Sequence, residues 1–299
     1  MRGPPRHRLP VTLALQQKVR AVPDFSVPAF DLTDPALIFT LINLAGMSTL
    51  FVIVWRRSIF TGKRYFLLTL LACVWWLIVT AMELSATDMA GKIFWSKLAW
   101  TAVTTLSISW TLFLFDYCFD RQLIRDWPRY ALIGGTLVMI LVGSQTNDIH
   151  GAFYGPDTRL VITDGKPYVV YDHGPLLYVF AAILYLWFVG AVAIALFAAV
   201  RAARIYRAIF RVLLAVAVIP VSGNAAYLLA GFTLFDFDPT PFLFAASFLL
   251  VSWMLFVSRV LELDSIAKEA VFTSTPDPII TYDRHGRMAG SNAAARRVL

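Results

Sequence analysis

Few residues of this chain could do chemistry, and their positions are informative. Glu83, Lys97 and Asp116 border the long apolar stretches described below. A charge at membrane depth is costly and often functional. Each of these three is within a turn or two of an interface, where a side chain can snorkel to water. A Glu83–Lys97 pair across one mouth of a helical bundle is the functional alternative. No carboxylate stands near the middle of a stretch, which weighs against a proton pump or a secondary transporter. The histidines are His7, His150, His173 and His285, all outside the apolar stretches. His150 and His173, with Asp148 and Asp172, have the donor types of a metal site. Their spacing is not diagnostic, and a solvated polar loop explains them as well, so no metal is expected. Trp75, Trp76, Trp95, Trp100, Tyr171 and Tyr178 gather toward one side, either as an interfacial belt or as the wall of an apolar pocket. The sequence has no Gly-rich phosphate loop, no HExxH and no Gly-x-Ser-x-Gly. No catalytic residue and no cofactor are therefore expected.

The elements that must position these residues follow from composition. The chain has 299 residues, 59% of them apolar and 15% charged, with mean hydropathy +0.68. Soluble domains are about 45–50% apolar and about 25% charged, so a soluble enzyme is excluded. An aromatic content of 14% excludes disorder. Seven stretches carry no Asp, Glu, Lys or Arg: Pro35–Trp55, Tyr65–Met82, Leu98–Phe115, Tyr130–Asn147, Gly174–Val200, Val212–Phe235 and Pro239–Ser258. Each approaches or exceeds the length of a membrane span. In hydrocarbon the backbone must satisfy itself, which leaves helices or a closed barrel. Continuous rather than alternating hydrophobicity excludes the barrel. The expected fold is an all-α membrane protein, a seven-transmembrane helix bundle spanning 35–258 after an N-terminal tail, 1–34.

Net charge is +7. In a soluble chain that would suggest nucleic acid; here its distribution matters more, and no nucleic-acid partner is expected. The loops after stretches 1, 3 and 5 carry eleven Lys and Arg, and the alternate loops carry four. Basic loops stay in the cytoplasm. The reading is a multi-pass protein of the cell membrane, N-terminus outside and C-terminus cytoplasmic. The basic residues Arg2, Arg6, Arg8, Lys18 and Arg20 argue the other way, but six later loops agree. Cys73 and Cys118 sit where neither an outer disulfide nor a metal cluster would form.

Other segments carry further signals. The longest, about residues 144–173, contains Asp164-Gly165 between the β-branched runs Leu160–Thr163 and Tyr168–Tyr171, a hairpin pattern. It is either a cover for helix ends or a lid on a ligand site. Pro220 interrupts the sixth stretch and removes a backbone donor. Ser222, Gly223 and Asn224 follow and are placed to re-satisfy freed carbonyls. The site is a hinge, or an ordinary membrane kink. After the seventh stretch, Phe256, Val260, Leu263, Ala267 and Ala270 fall at steps of four and three, a heptad seam. Residues 259–274 are expected as a signalling linker helix, and the seam as a dimer contact. Residues 275–299 read as strand, turn, strand and a helix capped by Ser291 or Asn292.

Several segments together resemble the N-terminal seven-transmembrane sensor region of sensor histidine kinases and related signalling proteins. They are Thr146-Asn147 with His150, Gly174-Pro175, Ile219-Pro220 with Asn224 and Tyr227, and the Asp238–Pro241 turn. The tail, with Asp277-Pro278, Asp283, Gly286 and Asn292, resembles the first strands of a PAS domain, about a quarter of one. The resemblance implies a two-component sensory input without kinase activity of its own, since no phospho-accepting His box follows. Candidate ligand-binding residues are Glu83, Trp95, Lys97, Trp100, His150 and Tyr178, with Asn224, Tyr227 and Asp238 added by the resemblance. The expected partners are the lipid bilayer, a second copy through helix 7 and the linker, and an unidentified small ligand. A small-solute transporter or channel is the alternative reading, and it predicts internal repeats, of which none is evident.

Overall fold

A computed structural model describes residues 28, 30–57, 60–119, 127–163, 165–201, 207–235, 237–257, 272, 274–282 and 288–298. Seven long helices run through it: α1 Pro35–Arg57, α2 Lys63–Ser85, α3 Met89–Phe119, α4 Trp127–Gln145, α5 Pro175–Arg201, α6 Arg207–Ala230 and α7 Thr240–Val257. Of these, α1, α2, α3, α5 and α6 are long and apolar enough to cross a membrane, and α4 and α7 carry shorter apolar stretches. The chain is a multi-pass membrane protein.

Local chemistry sets several helix ends. Asp34 Oδ1 accepts the Ala36 N–H at 3.0 Å, with Pro35 in the first helical position, where its missing donor costs nothing. Asp88 Oδ2 accepts the Gly91 N–H at 2.7 Å and starts α3. Gly62, which precedes α2, has φ 81°, and a Cβ there would press on the Phe113 carbonyl oxygen. Only glycine satisfies both conditions.

Helices α1, α2, α3, α5, α6 and α7 close a ring, each touching the next and α7 returning to α1 and α2. Helix α4 packs outside it, against α3. Helix α3 has 31 residues, about 46 Å at 1.5 Å per residue, and overruns the Leu98–Phe115 stretch expected from charge alone. Its buried Ala102, Thr104, Ser107, Ser109 and Thr111 let neighbouring backbones approach, as small residues do between membrane helices. Thr69 and Ser109 share a hydrogen bond at 2.9 Å, joining α2 to α3. The Thr111 hydroxyl donates to the Trp187 carbonyl at 3.0 Å, joining α3 to α5. Leu186, Val189 and Val200 on α5 and Leu229 on α6 are exposed, the apolar exterior expected where lipid is the solvent.

One end of the bundle carries β1 Arg159–Thr163 and β2 Lys166–Val170, paired antiparallel around Gly165. Lys166 Nζ lies 3.6 Å from both Asp31 and Asp34, tying the hairpin to the start of α1. Before it, the helical turn Asn147–His150 follows α4. Asn147 Oδ1 accepts the Phe153 and Tyr154 N–H groups at 2.9 and 3.1 Å, folding the loop back on the bundle. Gly174 opens α5 where a Cβ would collide with the Ala152 carbonyl. These contacts give physical reasons for two of the sequence signals, Thr146-Asn147 and Gly174-Pro175.

Three expectations need correction. Glu83, Lys97 and Asp116 do not snorkel, because all three are buried by protein. Glu83 and Lys97 do not pair: Lys97 reaches Asp148 at 3.0 Å, and Glu83 meets Tyr171. Asn224 does not repair the backbone near Pro220; its side chain bridges to α5 and α7. Helix α6 runs through Pro220 without interruption, with the Ser222 hydroxyl on the Val218 carbonyl at 2.9 Å.

In the tail, β3 Ile280–Tyr282 and β4 Met288–Ser291 pair antiparallel, followed by the turn Ala295–Val298. Asn292 is fully buried. Its Oδ1 accepts the Ile279 and Ala295 N–H groups, and its Nδ2 donates to the Thr275 and Asp277 carbonyls. One side chain therefore caps the turn and fastens the strand entry. Val260, Leu263, Ala267, Ala270, Asp283 and Gly286 lie outside the described residues, as do most of the N-terminal tail and the linker. Phe256 is in the last turns of α7.

Candidate functional site

At the hairpin end the ring does not fill with side chains. It encloses a cavity of about 520 Å3, walled by α2, α3, α5, α6 and α7, with β1, β2 and the loop before α7 over it. Helices spaced by bulky apolar residues below are spaced by polar and aromatic residues here.

The wall from α2 and α3 centres on Glu83. The Tyr171 hydroxyl donates to Glu83 Oε1 at 2.6 Å, so the loop after β2 is pinned to α2 by a short hydrogen bond. Lys92, also buried, donates to the Glu83 and Leu84 carbonyls at 2.8 and 3.4 Å. Its ammonium thereby satisfies the C-terminal end of α2, where cations are favoured. Ser96 and Tyr154 share a hydrogen bond at 2.7 Å, and the Tyr154 and Tyr171 rings lie 4.7 Å apart. Burial, with Glu83 beside it, pushes the Tyr171 phenol well above its usual range, so it stays a donor.

The wall from α5, α6 and α7 is a hydrogen-bond chain. The Tyr185 hydroxyl donates to Asn224 Oδ1 at 2.6 Å. Asn224 Nδ2 donates to Thr240 Oγ1 at 2.9 Å. The Thr240 hydroxyl donates in turn to Asp238 Oδ1, which also accepts the Thr240 N–H at 2.9 Å. Three helices are linked in this way, and the chain ends on the first residue of α7. Burial pushes the Asp238 carboxyl up to about 6, against the lowering effect of its Thr240 bonds. His173 stands edge-on to Tyr227, with ring centres 5.9 Å apart, and burial lowers its pKa. The imidazole is therefore neutral at pH 7.

A family model described as the N-terminal 7TM region of histidine kinase matches residues 37–263. The chain belongs to that family. The match covers every wall of the cavity, and the region is the sensory input of such kinases rather than their catalytic part. Squid rhodopsin is a similar solved structure, 12% identical, covering 83% of this chain and 86% of that one, with a TM-score of 0.43. No curated protein matches.

Of the residues singled out from sequence, Glu83, Trp100, Asn224, Tyr227 and Asp238 line the cavity of this 7TM region. Four others do not. Trp95 sits against Phe94, outside the cavity. Lys97 is spent on Asp148 and on the Gln145 side chain, which donates to its carbonyl. His150 is exposed, with Nε2 on the Gly143 carbonyl and Nδ1 accepting from Ala152. Tyr178 is half-exposed beside His173. Lys92, Ser96, Tyr154, Tyr185 and Thr240 were missed. The available signal was a lone polar group in an apolar run, as Tyr185 is in α5. Lys92 resembled an ordinary loop charge until its burial was visible.

Proposed function

We propose that this chain is a sensory input module of the cell membrane, crossing it seven times with the N-terminus outside. A stimulus enters the cavity at the outer end. The response travels along α7 into a cytoplasmic linker helix, residues 259–274, and a PAS-type segment from 275, toward a kinase output. Two copies meet through α7 and the linker seam Phe256, Val260, Leu263, Ala267 and Ala270. One observation carries the reading: the chain Tyr185–Asn224–Thr240–Asp238 joins the cavity wall to the first residue of the helix that leads to the tail. A ligand that binds one arrangement of that chain better than another shifts the equilibrium of α7. The opposite distribution of basic residues, including Arg56, Arg57, Lys63, Arg64, Arg201, Arg207 and Arg211 away from the hairpin, supports the orientation.

The test is a fusion of the full chain to a phospho-accepting kinase core, assayed for autophosphorylation in membranes. Deleting one residue after Val260 rotates the seam by about 100°, and output should change sharply. Unaltered output in that deletion would refute transmission through the linker. A reporter placed behind Leu299 should be active only in the cytoplasm.

A further inference from the structure

We propose that the cavity takes a small organic cation, an amine or quaternary ammonium attached to an apolar or aromatic body. The proposal rests on the sensory reading and names the class of stimulus. At about 520 Å3 the cavity is in the range of small-molecule sites. Two carboxylates enter it from separate elements, Glu83 from α2 and Asp238 from the loop before α7. Each has one oxygen held by a hydroxyl, from Tyr171 and Thr240 respectively. Each leaves its other oxygen without a hydrogen-bond partner among the described residues. A buried carboxylate short of partners is expensive, and an entering cation offsets that cost.

One cation also lines the space, close enough to Glu83 for the two charges to interact. Lys92 is the cation of the lining, and its ammonium is directed to two main-chain carbonyls at the end of α2. His173 is kept neutral by burial. Among the charged side chains of the lining, two carboxylates thus stand against one ammonium. Around them stand the rings of Trp76, Trp100, Tyr171, Tyr227 and Phe244, whose faces attract a cation and accommodate an apolar body. An anion would meet two carboxylates against a single ammonium that is already hydrogen-bonded to two main-chain carbonyls. A neutral apolar molecule would leave both carboxylates desolvated.

The experiment uses the full chain in nanodiscs and follows tryptophan fluorescence, since Trp76 and Trp100 line the site. Empty nanodiscs correct for partition into lipid. Three probes of nearly equal shape are titrated: phenylbutylamine, phenylbutanol and phenylbutyrate. The amine should give a saturable change, the alcohol should bind at least about tenfold more weakly, and the carboxylate should not bind, as expected for a desolvated charge pair. Glu83→Gln and Asp238→Asn should each weaken the amine about tenfold and leave the alcohol unchanged. The proposal is overturned if the alcohol or carboxylate matches the amine, or if the amine shows no saturable binding. The probe comparison on the unaltered chain decides this even if a variant fails to fold. An amine that binds without moving the kinase fusion's output sinks the sensory reading and upholds the cation site. A neutral ligand that moves the output sinks the cation site alone.

Discussion

Helix α2 passes through two different interiors. Near its start, Phe66 packs on Phe113 with ring centres 4.9 Å apart, and Trp110 meets Phe248 at 5.2 Å. Polar links between helices in that half include the Thr69–Ser109 bond and the Thr111 hydroxyl on the Trp187 carbonyl. Near its end, the same helix presents Glu83 to Tyr171 and to an open cavity. The dry half is held by ring-on-ring contact, and the cavity half by hydrogen bonds between distant segments. The difference separates what packs the bundle together from what shapes its cavity. Close-packed aromatic cores resist change, because every displaced atom loses contacts. A hydrogen-bonded wall around a cavity has fewer packed atoms to displace.

The comparison can be broken by substitutions on either side. Phe113→Ala, in the dry half, should cost about 3–5 kcal/mol, read as a lower thermal midpoint in detergent. A loss no larger than that of cavity-wall changes would erase the distinction. Gly174→Ala forces a Cβ into the Ala152 carbonyl and should cost about 1–3 kcal/mol. Faster proteolysis of the 155–172 loop is the accompanying sign. Asn224→Ala should cost about 1–3 kcal/mol by stranding the Tyr185 and Thr240 hydroxyls. It should also uncouple the kinase fusion from its stimulus, whereas Phe113→Leu should leave that coupling in place. The smallest effect concerns Asp238. Its carboxyl is raised from 3.8 to about 6 in the folded chain, which therefore binds the proton more tightly than the unfolded chain. Its contribution to stability is full below about pH 4 and is lost as pH rises through 6. Thermal midpoints measured from pH 4 to 7 should show this slope in the parent chain and a smaller one in Asp238→Asn.

Much of the architecture was legible because lipid imposes a simple rule on sequence. The apolar stretches, the hairpin around Gly165 and the strand pair closed by Asn292 all depend on neighbours within a few residues. Partners of polar groups were not legible. Lys97 could be read against Glu83, fourteen positions away, but it chose Asp148, 51 positions away. Tyr171 reaches Glu83 across 88 positions. Nothing in local pattern distinguishes such partners, since the angular position of each helix in the ring decides them. The Pro220 segment teaches the same lesson. Asn224 was read as a local repair of the backbone, yet its amide is used between helices.

By itself the sequence determined the solvent of this protein, the number of its long helices and the ends at which charge collects. Those properties follow from the cost of moving backbone and charge into hydrocarbon, a cost that is counted residue by residue. Tertiary structure alone decided that five of the candidate residues share one cavity, that Lys92 is buried beside them, and that a hydrogen-bond chain runs from Tyr185 to the start of α7. Those facts depend on how helices far apart in sequence are rotated and spaced against one another, and close packing fixes that only when the whole ring has closed.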